Sequence, residues 1–270
     1  MRIARSDDRM TFAEPVIIST PKDFDAGMQV FKEVVNTLCA GERPESLAGG
    51  IAGTFSQDRS VLLSAPNLPG WIGKPIKRAL EEIVSCPVYL ENDTAMVGLG
   101  EAVVGAGKDA SIVVYITIST GVGGVRLVNG KIDVSAMGFE PGHQIIDAGG
   151  RLRETSVCGQ GTDFEGMVSG TSITARYGKK PFEITDEAFW DDMARVAAFG
   201  VNNTIVHWSP DVVVLGGSMM KKIGIKAERV QEHLKGILHV FPTHPRVIYS
   251  ALGDLGGLHG SLAFLRSLLS

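Results

Sequence analysis

Apolar residues recur along the chain at two spacings, which predict alternating helices and strands. Over 24–38 they recur every three or four residues, so we expect a helix that Gly41 ends. The same spacing predicts helices over 71–84, from residue 92 onward, and over 188–208, 225–238 and 256–269. Short apolar runs predict strands at 1–7, 14–20, 46–53, 61–66, 88–91, 111–118, 125–128, 211–217 and 246–250. This alternation indicates an α/β fold with covered sheets.

Three of these strand predictions carry more detail. The run 111–118 is almost wholly apolar and rich in β-branched residues, as in a strand covered on both faces. A polar turn is expected to join the strands 46–53 and 61–66. Asn129 and Gly130, after the strand at 125–128, are the usual signal for a type I′ hairpin turn.

The length and composition suit a chain of two lobes. With 270 residues, of which 44% are hydrophobic and 21% charged, the chain can bury a sizeable core in each lobe. We place the boundary near Asp93. A small N-terminal α/β lobe then covers 1–92 and is joined by the C-terminal helix 256–270, and a large lobe covers 93–255.

Charge, cysteine usage and hydropathy indicate which partners and which cellular compartment to expect. The net charge is −4 and no run of Lys or Arg stands out, so nucleic acid is not an expected partner. The three cysteines are scattered, which argues against a disulfide framework and for a reducing cytoplasm. No apolar run reaches the roughly 18 residues of a membrane span, so no membrane partner is expected.

A glycine-rich turn, "STGVGG" at 119–124, links two predicted strands. Its backbone N–H groups and the hydroxyls of Ser119 and Thr120 suit an anion such as phosphate. Dinucleotide-binding and P-loop glycines stand between a strand and a helix, whereas both flanks here are strands. That context fits the phosphate hairpins of actin-like kinases. Standing alone, the motif would be interpreted as a plain hairpin turn.

Two polar clusters are candidates for sugar chemistry. Asn92 and Asp93 stand where a strand ends and a helix begins, which is typical of a helix N-cap. Asp93 is also placed to take the proton from an attacking hydroxyl, and the two roles are compatible because a helix N-terminus keeps a carboxylate ionised. In "GFEPGH" a turn brings Glu140 and His143 close together. With Asp93 and Glu165 they form the dense hydrogen-bonding set that a sugar needs.

The order and spacing of these motifs resemble the ROK family of bacterial sugar kinases and sugar-responsive repressors. The resemblance covers nearly the whole chain and rests on "NLPGW", "END", "STGVGG", "EPGH", "CGQGTDFE", "SPDVVVLGG" and "LGDLGGLHGS". It implies an actin-like (ribonuclease H-like) fold of two α/β lobes, with the sugar in the cleft and ATP–Mg²⁺ beside it. It also implies a homodimer.

The resemblance assigns a role to each candidate residue. Asp93 is the expected catalytic base. The expected substrate-binding residues are Asn92, Glu140, His143, Glu165, Asn67 and Gly53, of which the last two are expected to set which sugar binds. The residues expected to approach the nucleotide are Thr120, Gly121, Gly123, Gly124, Gly216 and Gly217. The implied activity is ATP-dependent phosphorylation of a hexose or N-acetylhexosamine hydroxyl.

The sequence departs from the family pattern at the zinc loop. The family reads Cys-x-Cys-Gly-x-x-Gly-Cys-x-Glu, with a histidine as the fourth ligand. In "SVCGQGTDFE" the three cysteine positions hold Ser156, Cys158 and Asp163, and the histidine is retained as His143. Because a serine hydroxyl is not a useful zinc ligand near neutral pH, we expect a degraded loop without structural zinc.

A second departure is at the N-terminus. The family begins with a strand that ends in Asp-x-Gly-Gly-Thr, the first phosphate loop, and 1–7 matches the strand that follows it. Loss of an internal strand would leave unpaired backbone groups or force its neighbours to close up. Either Met1 is an internal methionine, or the protein is a shortened homologue with damaged ATP binding. The physical cost favours the first, which predicts that the reading frame continues upstream.

Three functions are therefore compared. The intact set of Asn92, Asp93, Glu140, His143 and Glu165 favours a sugar kinase. A non-catalytic sugar-binding protein is the alternative if the first phosphate loop is lost. A repressor of the same family is least favoured, because the sequence has no helix-turn-helix segment ahead of the kinase-like region and is acidic.

Overall fold

A computed structural model describes residues 1–147, 162–221 and 223–269 of the chain. In these ranges the strands are β1 (Arg2–Ile3), β2 (Val16–Ile17), β3 (Leu47–Ile51), β4 (Thr54–Phe55), β5 (Leu62–Ser64), β6 (Val88–Asn92), β7 (Ile112–Ile118), β8 (Val122–Val128), β9 (Lys131–Ile132), β10 (Val212–Gly216) and β11 (Arg246–Tyr249). The helices are α1 (Phe24–Cys39), α2 (Ile76–Val84), α3 (Asp93–Val103), α4 (Phe164–Val168), α5 (Gly170–Tyr177), α6 (Glu187–Trp208), α7 (Ala227–Lys235) and α8 (Gly256–Leu269). None of the helices in this described part is long and apolar enough to cross a membrane.

The largest sheet has five strands in the order β11-β10-β7-β8-β9. Strand β10 pairs in parallel with β7 and β11, whereas the β7–β8 and β8–β9 pairs are antiparallel. Alternate side chains of β7 enter two separate cores. Val114 and Ile116 pack with residues of α6 and α7, and Val113 and Tyr115 pack with residues of α3 and α8. The prediction of a central strand covered on both faces is confirmed.

The N-terminal part contains three two-stranded sheets, β1–β2, β3–β6 and β4–β5. The strands expected at 46–53 and 61–66 are present as β3 and β5, joined through β4 and the loop 56–61, and they do not pair with each other. Strand β3 pairs in parallel with β6, and β5 pairs antiparallel with the two-residue β4. Gly53, with a positive φ of 139°, redirects the chain between β3 and β4, so the hairpin begins only after it.

The two N-terminal strand predictions are too long. Only Arg2–Ile3 and Val16–Ile17 pair, and the segment between them is a loop. A local turn competes with strand pairing here, because the Asp8 carboxylate accepts hydrogen bonds from the backbone of Met10 and Thr11, each at 2.7 Å. A cavity of about 480 Å³ lies between this loop, β3 and α8, and the β1–β2 sheet is not hydrogen-bonded to β3.

Helices α3 and α8 cross at glycines. A Cβ added to Gly260 would lie 1.7 Å from the carbonyl oxygen of Met96, and one added to Gly100 would lie 2.5 Å from that of Gly256. Helix α8 also packs against β3, and α3 packs against β7 and β8. The helix pair therefore stands between the N-terminal sheets and the five-stranded sheet. The lobe boundaries placed at 1–92 and 93–255 stay a prediction.

Short elements account for most of the difference from the sequence predictions. Helices α4 and α5 have five and eight residues, too few for the helical spacing to be visible. Each begins at a polar N-cap: the Asp163 carboxylate accepts the N–H of Gly166 at 2.8 Å, and the Ser169 hydroxyl accepts that of Ser172 at 3.2 Å. The type I′ turn between β8 and β9 is confirmed, since φ is positive at both of its central residues.

Candidate active site

Asp93 is the first residue of α3, directly after β6. The cap of this helix is Asn92, whose Oδ1 accepts the N–H groups of Thr94 at 2.9 Å and Ala95 at 3.2 Å. The Asn92 Nδ2 donates to the carbonyl of Gly53 at 3.0 Å. Asp93 accepts the N–H of Thr94 at 2.8 Å and is exposed. The interpretation of Asn92 as a cap is confirmed, and the carboxylate of Asp93 is not the principal cap.

Burial shifts the proton affinity of Asp93. Desolvation by the surrounding protein raises the pKa of its carboxyl, and this outweighs the opposing hydrogen bonds from Thr94. The side chain is nevertheless exposed to solvent. Both observations fit a carboxylate with water on one side and protein on the others. A carboxylate with a raised pKa is a better proton acceptor than an ordinary aspartate.

Glu140 and His143 flank a single 3₁₀ turn, Pro141–His143, and both are exposed. Desolvation raises the pKa of Glu140; the nearby charge of His143 lowers it, and the negative charges of Glu165 and Asp93 raise it further. These electrostatic effects indicate that Asp93, His143 and Glu165 lie within range of the Glu140 carboxyl. Contact of all four side chains with one sugar stays a prediction.

His143 is held by a buried partner. Its Nδ1 lies 3.1 Å from Oδ2 of Asp163, which is fully buried. Burial alone would lower the pKa of His143, but the hydrogen bond with Asp163 and the charges of Glu165 and Glu140 outweigh it, so the pKa is raised. A histidine in this setting donates hydrogen bonds more readily than it accepts them.

Glu165 links the polar cluster to the glycine turn. It is the second residue of α4, and its Oε2 accepts the N–H of Val122 at 2.8 Å. A Cβ on Gly121 would lie 2.5 Å from the same oxygen, so a side chain there would displace the carboxylate. Gly121 is therefore required for this approach, whatever it contacts in a ligand.

The glycine turn is fixed to the start of α5. Within it, the N–H of Ser119 donates to the carbonyl of Gly121 at 2.8 Å. The N–H of Gly170 donates to the carbonyl of Ser119 at 2.7 Å, and that of Thr171 to the carbonyl of Thr120 at 3.3 Å. These bonds hold the exposed hydroxyl of Thr120 at the edge of the cleft.

The remaining glycines predicted near the nucleotide pack against protein. Added Cβ atoms would lie 2.8 Å from Oγ1 of Thr94 at Gly123, and 2.5 Å from Cγ of Pro141 at Gly124. At the end of β10, an added Cβ would lie 2.4 Å from the Tyr115 hydroxyl at Gly216 and 2.2 Å from the Ile118 carbonyl at Gly217. Their observed role is close packing of the strands and turns around the cleft, and nucleotide contact stays a prediction.

A cavity of about 1210 Å³ opens on the far side of Thr120. Its apolar wall is formed by Ala175, Pro181, Phe182, Met219 and Ile223, and its polar groups include Thr120, Ser218, Lys180 and Lys221. Hydroxyls and lysines beside an apolar wall suit a nucleotide, with the phosphates on the polar side and the base on the apolar side. Except for Thr120, these residues were not predicted from the sequence, because they come from the unpredicted α5 and from separate segments near 180–182 and 218–223 that carry no motif. The signal that would have found that helix is the N-cap "SGTS" at 169–172.

Asn67 and Gly53, two of the predicted sugar-binding residues, lie in loops of the N-terminal part. Asn67 is exposed in the loop after β5, and its backbone carbonyl accepts the Nζ of Lys22 at 2.7 Å. Gly53 precedes β4 and presents its carbonyl to Asn92. Sugar contact by either residue stays a prediction.

The zinc loop falls mostly outside the described residues, since 148–161 contains Ser156 and Cys158. In the described ranges, no group of three or more His, Cys, Asp or Glu side chains is arranged to hold a metal. His143 and Asp163, which occupy two of the four zinc positions, bond directly to each other. This contact joins the Pro141 turn to α4.

We expect the purified protein to carry well under one zinc per chain and to keep its melting temperature when a chelator is added. The reason is that Ser156 replaces a thiolate and the His143–Asp163 contact already closes the loop. Elemental analysis and thermal melts with and without EDTA test this. One tightly held zinc per chain, together with a lower melting temperature in EDTA, would contradict it.

Comparison with known proteins relates this geometry to one family. The sequence model of the ROK family matches residues 27–267. The chain is 28% identical over 276 residues to the fructokinase of Zymomonas mobilis, covering 96% of this chain and 89% of that protein. It is similar in structure to the ROK hexokinase from Thermus thermophilus, with a TM-score of 0.82, 26% identity, and coverage of 97% of this chain and 94% of that one. A ROK family glucokinase from Streptomyces griseus, in complex with glucose and AMPPNP, has a TM-score of 0.75 at 23% identity and the same coverage.

Proposed function

The chain belongs to the ROK family and has its actin-like two-lobed fold, and from this we propose that it is a kinase acting on a hexose or N-acetylhexosamine hydroxyl with ATP as phosphate donor. Relatives of similar sequence are named fructokinase and glucokinase. The observation that carries the proposal is the group of mutually interacting side chains Asp93, Glu140, His143 and Glu165, together with a cavity of about 1210 Å³ that Thr120 of the glycine turn lines. The expected homodimer and cytoplasmic location stay predictions.

In this proposal Asp93 accepts the proton of the attacking sugar hydroxyl as the phosphoryl group is transferred. The carboxylates of Glu140 and Glu165 accept hydrogen bonds from other sugar hydroxyls, and His143 donates one. Holding the sugar in this orientation supplies much of the rate, because the reaction then needs no further search for its geometry.

The described residues of the cavity fit ATP as the second substrate. Thr120 and Ser218 supply hydroxyl groups for the phosphates, and Phe182 belongs to the apolar wall. Mg²⁺ arrives with the phosphates and neutralises part of their charge. Lys180 and Lys221 line the same cavity and add positive charge to it.

The proposal is tested by an ADP-release assay with ATP–Mg²⁺ and, in turn, glucose, mannose, fructose, N-acetylglucosamine and N-acetylmannosamine. We expect turnover with at least one of them. Thermal stabilisation by a sugar, without turnover and without any response to ATP–Mg²⁺, would instead support the non-catalytic sugar-binding alternative. A folded protein that neither turns over nor binds these sugars would overturn the proposal.

We expect kcat to fall as the pH is lowered through the raised pKa of Asp93, above the ordinary aspartate value of 3.8. A protonated carboxyl cannot accept the hydroxyl proton. The free energy of unfolding should instead rise as the pH is lowered. Because the pKa of Asp93 is higher in the folded protein than in the unfolded chain, its contribution to stability is complete below the unfolded pKa. That contribution is lost as the pH rises through the folded pKa. A pH profile of kcat measures the first effect, and a fall that begins only at or below the ordinary aspartate pKa of 3.8 would contradict it.

A further inference from the structure

A hairpin in the N-terminal part is connected by side chains to the strand that carries the candidate base. We define the hairpin as residues 54–64, comprising β4, β5 and the loop 56–61 between them. Its loop is internally bonded: Ser56 and Val61 share a backbone hydrogen bond of 2.9 Å. The Asp58 carboxylate accepts the hydroxyls of Ser56 at 2.6 Å and Ser60 at 2.8 Å, and these bonds lower the pKa of Asp58 to about 2. The loop is therefore a rigid support for the residue at its tip.

That residue is Arg59, and its backbone is in the left-handed region with φ of 58°. A non-glycine residue keeps this conformation only where its surroundings hold it. The backbone N–H of Arg59 donates to the carbonyl of Ser56 at 2.9 Å, which holds the turn. The side chain then extends out of the loop toward β6.

The partner of Arg59 on β6 is Glu91, the residue before Asn92 and Asp93. Nη2 of Arg59 lies 3.1 Å from Oε2 of Glu91, and Oε1 of Glu91 accepts the backbone N–H of Asn92 at 2.8 Å. The Glu91 side chain is 12% exposed and that of Arg59 28% exposed. Because both are partly buried, this ion pair is screened less by water and salt than a surface pair.

The hairpin thus has two connections to the same strand end. The first is the Arg59–Glu91 ion pair at its tip, and the second is the hydrogen bond from Asn92 to the carbonyl of Gly53 at its base. Glu91 orients the backbone of Asn92 with its other oxygen. Phe55 and Leu62 anchor the strands of the hairpin in the N-terminal core. Loss of the ion pair would therefore free the tip of the hairpin and the Glu91 carboxylate, which orients the amide of Asn92.

We infer that the Arg59–Glu91 ion pair is a latch that holds the hairpin against the sugar cleft and thereby sets sugar affinity. The inference rests on the proposed function in that the ligand is the sugar substrate. Arg59 is a positioning residue, since it acts through Glu91, Asn92 and Gly53. The base itself is positioned independently, because Asp93 belongs to α3, which is fixed by its crossing with α8. Loss of the latch should therefore weaken sugar binding and leave the transfer step almost unchanged.

The decisive variants are Arg59→Gly and Glu91→Gln. Glycine adopts a φ of 58° without strain, so Arg59→Gly removes the charge and leaves a favourable turn. Gln at 91 keeps an oxygen for the N–H of Asn92 and removes the ion pair. For the sugar that the parent uses best among the five assayed, we expect each variant to raise KM about tenfold, with kcat within about twofold of the parent.

Three further variants complete the test. Arg59→Lys keeps the charge and should restore most of the affinity. The Arg59→Gly and Glu91→Gln double variant should raise KM no more than either single change, because both remove one interaction. Arg78→Gln breaks an exposed ion pair with Glu82 in α2 of the same part of the molecule, and should leave KM unchanged.

Calorimetric sugar binding separates this inference from the proposed function. If the parent binds a sugar but does not turn it over, the kinase proposal fails, while a tenfold weaker Kd in Arg59→Gly still supports the latch. A parental KM and Kd in both single variants would overturn the latch even if the kinase is active. A fall in kcat without a change in KM would overturn it too, as would a parent that binds none of the five sugars.

Discussion

Asp93→Asn is expected to lower kcat by roughly 10²–10⁴-fold, the usual effect of removing a general base. Asparagine has the size of aspartate but cannot take the proton from the sugar hydroxyl. The helix should not be weakened, since the cap of α3 is Asn92 and the substitution also removes a desolvated charge. Sugar affinity and melting temperature should therefore stay close to those of the parent. Steady-state kinetics, calorimetric sugar binding and thermal melts on the same preparation measure all three.

A second aspartate provides the control for this substitution. Asp23 caps α1 by accepting the N–H of Ala26 at 2.9 Å, and it lies outside the candidate cluster. Because Asn caps a helix about as well as Asp, Asp23→Asn should leave kcat and stability unchanged. If Asp93→Asn behaved like Asp23→Asn and kept the parental kcat, Asp93 would be a structural residue and the assignment of the base would be wrong.

Gly260→Ala is expected to lower the free energy of unfolding by about 3 kcal/mol or more, the upper range for overpacking. The added methyl would lie 1.7 Å from the carbonyl oxygen of Met96, so α3 and α8 must separate. A backbone atom cannot move aside as a flexible side chain can. Denaturant unfolding monitored by circular dichroism measures the loss.

The same helix contains a matched control. Gly257 is also in α8, but an added Cβ there would meet only Cγ2 of Val97 at 3.8 Å, an ordinary contact. Gly257→Ala should therefore stabilise the protein by about 0.5–1 kcal/mol, because alanine favours a helix over glycine. Equal effects of the two substitutions would show that close approach of the helices is not what Gly260 provides.

The sequence predicted those parts of the fold that depend on local periodicity. Helices α1, α6 and α8 are found within a few residues of their expected bounds, because each has enough turns for its apolar face to recur. The pairing of β3 with β6 was not predicted, because β6 lies beyond α2 in the chain and the apolar pattern carries no information on pairing. The helix α5 was missed because two turns provide too few apolar positions.

The candidate site, too, was predicted only in part: its motif residues were found, but not the contacts between distant side chains. Motif order identified Asp93, Glu140, His143 and Glu165, and in the structure the charges of the other three act on the pKa of Glu140. The hydrogen bond between His143 and Asp163 and the ion pair between Arg59 and Glu91 could not be found from the sequence. Each joins residues 20 or more positions apart, and a single charged residue in a loop gives no sign of its partner. Such contacts depend on the folded path of the chain.

The crossing of α3 and α8 determines which movements the cleft can make. At Gly100 and Gly260 the two backbones touch without intervening side chains. Sliding one helix along the other would drive backbone atoms into a carbonyl, since there is no space to absorb it, whereas rotation about the contact keeps the distance. Rotation about the contact would therefore be the less costly movement of the pair. Asp93 is the first residue of α3, so such a rotation would carry its carboxylate along an arc relative to β3.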